Sequence, residues 1–197
     1  NYVGFPKTKA LAQIYQNKYP YLTINHFYID GYDYIDKNTD NLSKFNYIIL
    51  AVGNRNLEIF IINHLKEKGL NIPIIILFVE PHLYGGHAII IYNYENLNKI
   101  FDEHGFYLHK VLTDEKKFSY MDYGCQSAFY PYSNYLVHEY LTEFFNNLIL
   151  KKEFNNKDIN YLFTWYGKLS DARKNHISLS KEALFKDDFI NQVSEIK

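Results

Sequence analysis

The chain has 197 residues, with 22 acidic and 21 basic side chains and a formal net charge of −1. That length accommodates one domain with a core of its own. The near-cancelled charge leaves no footprint for nucleic acid, which calls for a concentrated basic patch, and the pairs Lys66/Lys68, Lys116/Lys117 and Lys151/Lys152 are scattered enough to read as solvated surface.

The chain opens on Asn1-Tyr2-Val3-Gly4 without a methionine, and a missing N-terminal portion is expected. The opening is charged and helix-like, so it is not read as a signal peptide. Ala10, Leu11, Ile14 and Tyr15 recur at helical spacing and predict a helix over Lys7–Lys18, ended by Pro20. Alternation at Leu22 and Ile24 predicts a strand over Tyr21–Ile29. Asp30 to Asn46 is polar and turn-rich, with room for a short helix at its end.

Tyr47–Val52 is apolar on both faces, as expected of a parallel strand covered by helices on each side. Gly53-Asn54 breaks it, and Leu57, Phe60, Ile61, His64 and Leu65 predict an amphipathic helix over about Asn56–Lys68, closed by Gly69. Ile74–Val79 returns as a second buried strand, which makes a right-handed βαβ unit. The stretch Glu80-Pro81-His82-Leu83-Tyr84-Gly85-Gly86-His87 then reads as a turn, with Ala88–Tyr92 running back as a strand. No apolar run approaches the roughly 18–20 residues that span a bilayer.

Beyond Tyr92 the signals thin out. Asn93–Gly105 has room for a short helix and Phe106–Leu112 for an edge strand, while Thr113–Tyr132 has no sustained period. A helix is predicted over Ser133–Leu150, with Leu136, Val137, Tyr140, Leu141, Phe144, Phe145 and Leu148 inward. A strand near Tyr161–Tyr166 and a final helix after Ser180 complete the pattern. The fold class expected is α/β, a Rossmann-like and mostly parallel sheet flanked by helices.

Cys125 is the one cysteine, which excludes an internal disulfide framework and a multi-cysteine zinc site and suits a reduced, cytoplasmic setting. An isolated cysteine is most often a small buried hydrophobe. This one follows Gly124 in an irregular stretch shortly before a helix N-terminus, where a thiolate nucleophile is favoured. Both readings stand. His87 is either a hydrogen-bonded structural residue or a side chain exposed to the sheet's crevice, and a metal held by Glu80, His82 and His87 is the weaker option. Gly53-Asn54 is either simple turn chemistry or the ligand edge at the carboxyl end of a parallel strand. No GxGxxG and no P-loop occurs in the sequence.

The order of these signals resembles the ThiF/MoeB family of ubiquitin-activating-type adenylyltransferases. Val3-Gly4-Phe5-Pro6-Lys7 stands where that family has a V-G-x-P-K turn opening a helix, and Tyr19-Pro20 where the helix closes. Ile48–Asn54 occupies the place of its strand and acidic exit, and Glu80–Ala88 is similar to its "EPYGxGGHA" turn. Gly124-Cys125 and Pro131 match its cysteine loop. The resemblance spans about residues 1–150, with 151–197 as an extension packing on the same domain. It includes branches fused to conjugating-enzyme-like domains in antiviral operons.

The resemblance implies ATP-dependent, Mg²⁺-assisted adenylation of the C-terminus of a ubiquitin-like or sulfur-carrier protein. Thioester transfer to Cys125 would follow, with Lys7 at the ATP phosphates and Gly53 and Asn54 lining the crevice. It also implies a homodimer, a conjugating-enzyme-like partner, and no role at nucleic acid or membrane. The Gly85-Gly86-His87 turn would border the tail's channel. Two departures matter. The family's glycine-rich loop is absent, so the chain alone is not expected to adenylate, and Gly53 replaces the metal-binding Asp. Those departures leave a non-catalytic docking module as the alternative.

Overall fold

In the computed structural model, the structure describes residues 3–95, 97–114, 120–122, 127–129 and 132–197. The chain divides into two compact units, Asn1–Leu42 and Ser43–Lys197.

The first unit holds two helices, α1 (Lys7–Lys18) and α2 (Gly31–Leu42). The expected bounds of α1 are met, and at its C-cap the Tyr19 N–H donates to the Tyr15 carbonyl at 2.8 Å. The face expected to be buried is not. Leu11, Ile14 and Tyr15 are exposed, and Ala12 is the buried residue of the helix. The strand expected over Tyr21–Ile29 is irregular instead, with Tyr21, Phe27 and Tyr28 exposed. Alternation alone cannot hold a strand that pairs with no neighbour. The polar stretch after it forms a longer helix than expected, nucleated where Tyr32 N–H donates to the Asp30 carboxylate at 2.8 Å.

The second unit is built on a five-stranded sheet ordered β1-β2-β3-β6-β7. Its strands are β1 (Ile48–Leu50), β2 (Ile74–Val79), β3 (Gly85–Ile91), β6 (Asn160–Tyr166) and β7 (Ile190–Ile196). A separate two-stranded sheet pairs β4 (Tyr120–Asp122) antiparallel with β5 (Ser127–Phe129). β1 and β2 are parallel, joined through α3 (Arg55–Glu67), which confirms the βαβ unit. The remaining pairs, β2–β3, β3–β6 and β6–β7, are antiparallel. The architecture is therefore α/β, but its sheet is mixed and not mostly parallel. The reason is topological: a short reversal after β2 allows only an antiparallel neighbour, since a parallel return needs a long crossover.

Residues after 150 supply two strands of this sheet, β6 and β7. The helix expected after Ser180 is absent. Ser180 forms one capped turn, with Ala183 N–H reaching its carbonyl at 3.1 Å and its hydroxyl at 3.3 Å, before the chain extends into β7. The edge strand expected at Phe106–Leu112 is reduced to isolated bridges, Phe101 with Tyr107 and Leu112 with Leu179.

Two faces of the sheet bury different residues. On one face Ile75, Ala88, Ile90, Tyr161, Phe163 and Trp165 pack with Tyr140 and Phe144 of α4 (Asn134–Phe145). That helix continues into a π-helical turn, Asn146–Lys151. On the other face Ile74, Ile76, Ile89 and Ile91 are at most 2% exposed. Each such side chain contributes roughly 1.5–3 kcal/mol of burial. A third cluster, under α5 (Leu169–Lys174), joins Val111 and Leu112 to Tyr84, Tyr166, Leu169 and Ala172. β1 departs from its expected double coverage: Leu50 is buried, but Ile49 on the opposite face is 49% exposed.

Candidate functional site

Because β1 and β2 are parallel in the register Leu50 to Ile76, their carboxyl ends lie at the same end of the sheet. Two features meet that end. After β1, Gly53 adopts φ +61°, a left-handed turn that glycine accepts without a Cβ penalty. Asn54 then caps α3, its Oδ1 accepting the Leu57 N–H at 3.2 Å. Both residues are exposed. After β2, Glu80 turns inward and is 1% exposed.

Glu80 and His87 form the centre of a buried network. The Glu80 Oε1 atom lies 2.5 Å from His87 Nε2 and accepts the Val111 N–H at 2.6 Å, while Oε2 accepts the Leu112 N–H at 2.7 Å. With Glu80 in its carboxylate form, which can only accept, the donor of this contact is His87 Nε2. Nδ1 then faces the Thr164 hydroxyl at 3.4 Å. His87 is fully buried at residue 3 of β3 and stacks on its cross-strand neighbour Phe78, with ring centres 4.6 Å apart. The Tyr140 hydroxyl of α4 donates to the His87 carbonyl.

The Gly85-Gly86-His87 stretch is therefore not an exposed turn. It is the start of β3, inside the sheet. The glycines serve packing, not reversal. A Cβ on Gly85 would stand 2.7 Å from Glu80 Oε1 and 2.8 Å from His87 Nε2, and one on Gly86 would stand 2.7 Å from the Tyr140 ring. The reversal itself falls earlier, at His82 and Leu83, both left-handed at φ +54° and +55°. His82 is exposed there, apart from the buried pair, so the three do not converge as metal ligands. Among the described residues no cluster of three such groups occurs.

An aromatic column runs from the start of α3 to the pair. Arg55, the first residue of α3, lies over the Phe106 ring at 4.2 Å. Tyr107 stacks on Phe78 at 4.1 Å, and Phe78 stacks on His87. The Tyr107 hydroxyl donates to Glu58 Oε2 at 2.8 Å. Burial raises the Glu58 carboxyl, opposed by that hydrogen bond and by the Arg55 charge. Burial and the Glu58 charge raise the Tyr107 phenol.

The expected site residues fall in different parts of the molecule. Gly53 and Asn54 are exposed neighbours between β1 and α3. Lys7 is the exposed first residue of α1, in the other unit. Cys125 and Gly124 lie outside the described residues, as does Pro131. The role of Glu80 was missed, although a carboxylate closing an apolar strand is a recognisable sign of a buried acceptor. No family model matches the chain, and neither a curated protein nor a solved structure matches it.

Proposed function

We propose that this chain forms much of a ThiF/MoeB-type activating module, with the Rossmann-like plan of that family in its βαβ part. The module would activate the C-terminus of a ubiquitin-like or sulfur-carrier protein with ATP and Mg²⁺. The observation that supports this reading is the carboxyl end of the parallel β1–α3–β2 unit, where Gly53 and Asn54 open at the position open α/β sheets use for nucleotides.

In the proposed reaction a carboxylate oxygen of the carrier attacks the α-phosphorus of ATP. The α–β phosphoanhydride bond breaks and pyrophosphate leaves, giving an acyl-adenylate. Lys7 contributes a fixed positive charge where negative charge develops on the phosphates. The Cys125 thiolate then attacks the acyl carbon, the bond to the AMP oxygen breaks, and AMP leaves with that electron pair. The thioester passes to a conjugating-enzyme-like partner, with the module working as a homodimer in the cytoplasm and, in keeping with the family, in antiviral defence.

The test incubates the full-length polypeptide with ATP, Mg²⁺ and the ubiquitin-like protein encoded beside it. A reductant-sensitive adduct is expected, and Cys125→Ala abolishes it; an adduct that persists in that variant ends the role given to Cys125. Lys7→Ala is expected to slow carrier-dependent pyrophosphate exchange about a hundredfold.

A second reading, a docking module that holds a carrier or an active partner without chemistry, is favoured by one observation. The Asn54 side chain is committed to capping α3, and Gly53 brings no carboxylate for a metal. Carrier binding without any pyrophosphate exchange selects it.

A further inference from the structure

Between α3 and the segment 97–108 lies a cavity of about 480 Å³, a size that suits a ligand. Its floor is apolar, lined by Ile59 and Ile62 of α3 together with Leu97, Phe101 and Leu108. Its rim is polar, with the exposed amides of Asn63 and Asn98 and the carboxylates of Asp102 and Glu103. No lysine, arginine or histidine is among the described residues that line it. We propose that this cavity docks a short extended segment of a partner protein, one that presents an apolar side chain with a lysine or arginine within two positions of it.

The cavity wall is preset. The Asp102 N–H donates to the Phe106 carbonyl at 2.8 Å, and Asp102 Oδ1 accepts the N–H groups of His104 and Phe106 at 2.9 and 2.7 Å. Gly105, at φ +76°, seats that loop against α3, since a Cβ there would stand 2.7 Å from Ile59 Cδ1. The charge is complementary to a cation. Both side-chain bonds of Asp102 fall on Oδ1, so a cation at Oδ2 leaves the loop intact. Glu103 reaches His104 at 3.5 Å, but those side chains are 87% and 71% exposed and such a contact is readily exchanged. Lys99 and Lys110 belong to the same stretch, yet neither lines the cavity. The rim favours a peptide over a small molecule. Leu108, 50% exposed, carries apolar surface outward where a chain crossing the rim would cover it. Each amide of Asn63 and Asn98 offers both a donor and an acceptor, the pairing that peptide main chain requires.

The proposal goes beyond the activating-module reading and needs no step of that chemistry. It is tested on the full chain by nuclear magnetic resonance, with the acetylated and amidated pentapeptide Ala-Leu-Ala-Arg-Ala as the probe. Saturable shifts are expected at the amides of Ile59, Ile62, Asn63 and Phe101. Glutamate in place of the probe's arginine is expected to weaken binding at least about tenfold, and alanine in place of its leucine about tenfold. Glu103→Gln and Asp102→Asn are each expected to weaken the arginine probe about fivefold. The second of these keeps Oδ1 for the loop. Asn63→Trp sets a large ring at an exposed rim position and is expected to abolish binding.

Equal affinity for the arginine and glutamate probes overturns the proposal. So do shifts that never saturate, or that map away from α3 and the segment 97–108. 3-Methylbutylamine, a free amine with a leucine-like body, is the remaining arm. If it binds as tightly as the pentapeptide, the site takes a small cation and the peptide assignment fails. Should Asn63→Trp lose the dispersed spectrum of the folded chain, Glu103→Gln decides, because that side chain is 87% exposed and its exchange leaves the fold alone. Undiminished binding in Glu103→Gln and Asp102→Asn together then overturns the proposal.

Discussion

Gly86 has no room for even a methyl group, because the Tyr140 ring occupies the position its Cβ would take. Gly86→Ala must push that ring, and with it the hydroxyl that reaches His87, so about 1–3 kcal/mol of stability is expected to be lost in a urea melt. Glu58 makes a different prediction. Its carboxyl is raised in the folded state, so folding favours the protonated form. The associated stability is fully present below the unfolded-state pKa of a glutamate and is lost as pH rises through the elevated folded value. Glu58→Gln removes that dependence while leaving an oxygen for Tyr107. Urea melts across the acidic range should show wild type and variant converging at low pH, with wild type falling behind as pH rises. A constant gap would contradict the assignment.

At the scale of elements, what could be read from sequence divides along one physical line. α3 and β2 were legible because their apolar residues carry an unambiguous period and their ends carry local chemistry: Asn54 at the start and Gly69, at φ +65°, past the end. Asn54→Ala is expected to cost about 1 kcal/mol through the lost cap, with Asn54→Asp retaining most of it; thermal denaturation measures both. Elements fixed by distant partners were not legible. Gly85-Gly86 reads as a turn until Tyr140 and the Glu80–His87 pair are seen to fill the space beside them. The helix signal at Ser180 is genuine, but it is spent in one turn, and the ladder offered by β6 decides the residues that follow. For the site, the turn and cap at Gly53-Asn54 are legible from their position after an apolar run, whereas the role of Glu80 depends on amides 31 and 32 residues further along.

Across the whole molecule the two margins of the sheet differ in character. β7 presents Asn191, Gln192, Ser194 and Glu195, and such polar edges resist pairing with another chain. β1 carries no charge along Tyr47–Val52, and Tyr47, Ile49 and Val52 are exposed by 38%, 49% and 51%. An uncharged apolar edge is a template for further strand pairing. Ile49→Lys is therefore expected to reduce concentration-dependent self-association of this chain in light scattering, with its circular dichroism unchanged. If association is as strong in that variant as in wild type, the contact lies elsewhere.

The carboxylate of Glu80 also has a consequence for the rate at which backbone protons are lost to solvent. Amides outside regular structure normally exchange quickly, because brief local opening frees them. Val111 and Leu112 belong to no strand, yet their N–H groups end on a buried carboxyl group and they are 1–2% exposed. In deuterated buffer their protons should persist as long as those of the central strand β3, an island of slow exchange inside an irregular stretch. Glu80→Gln should bring at least one of them down to the rate of its neighbours.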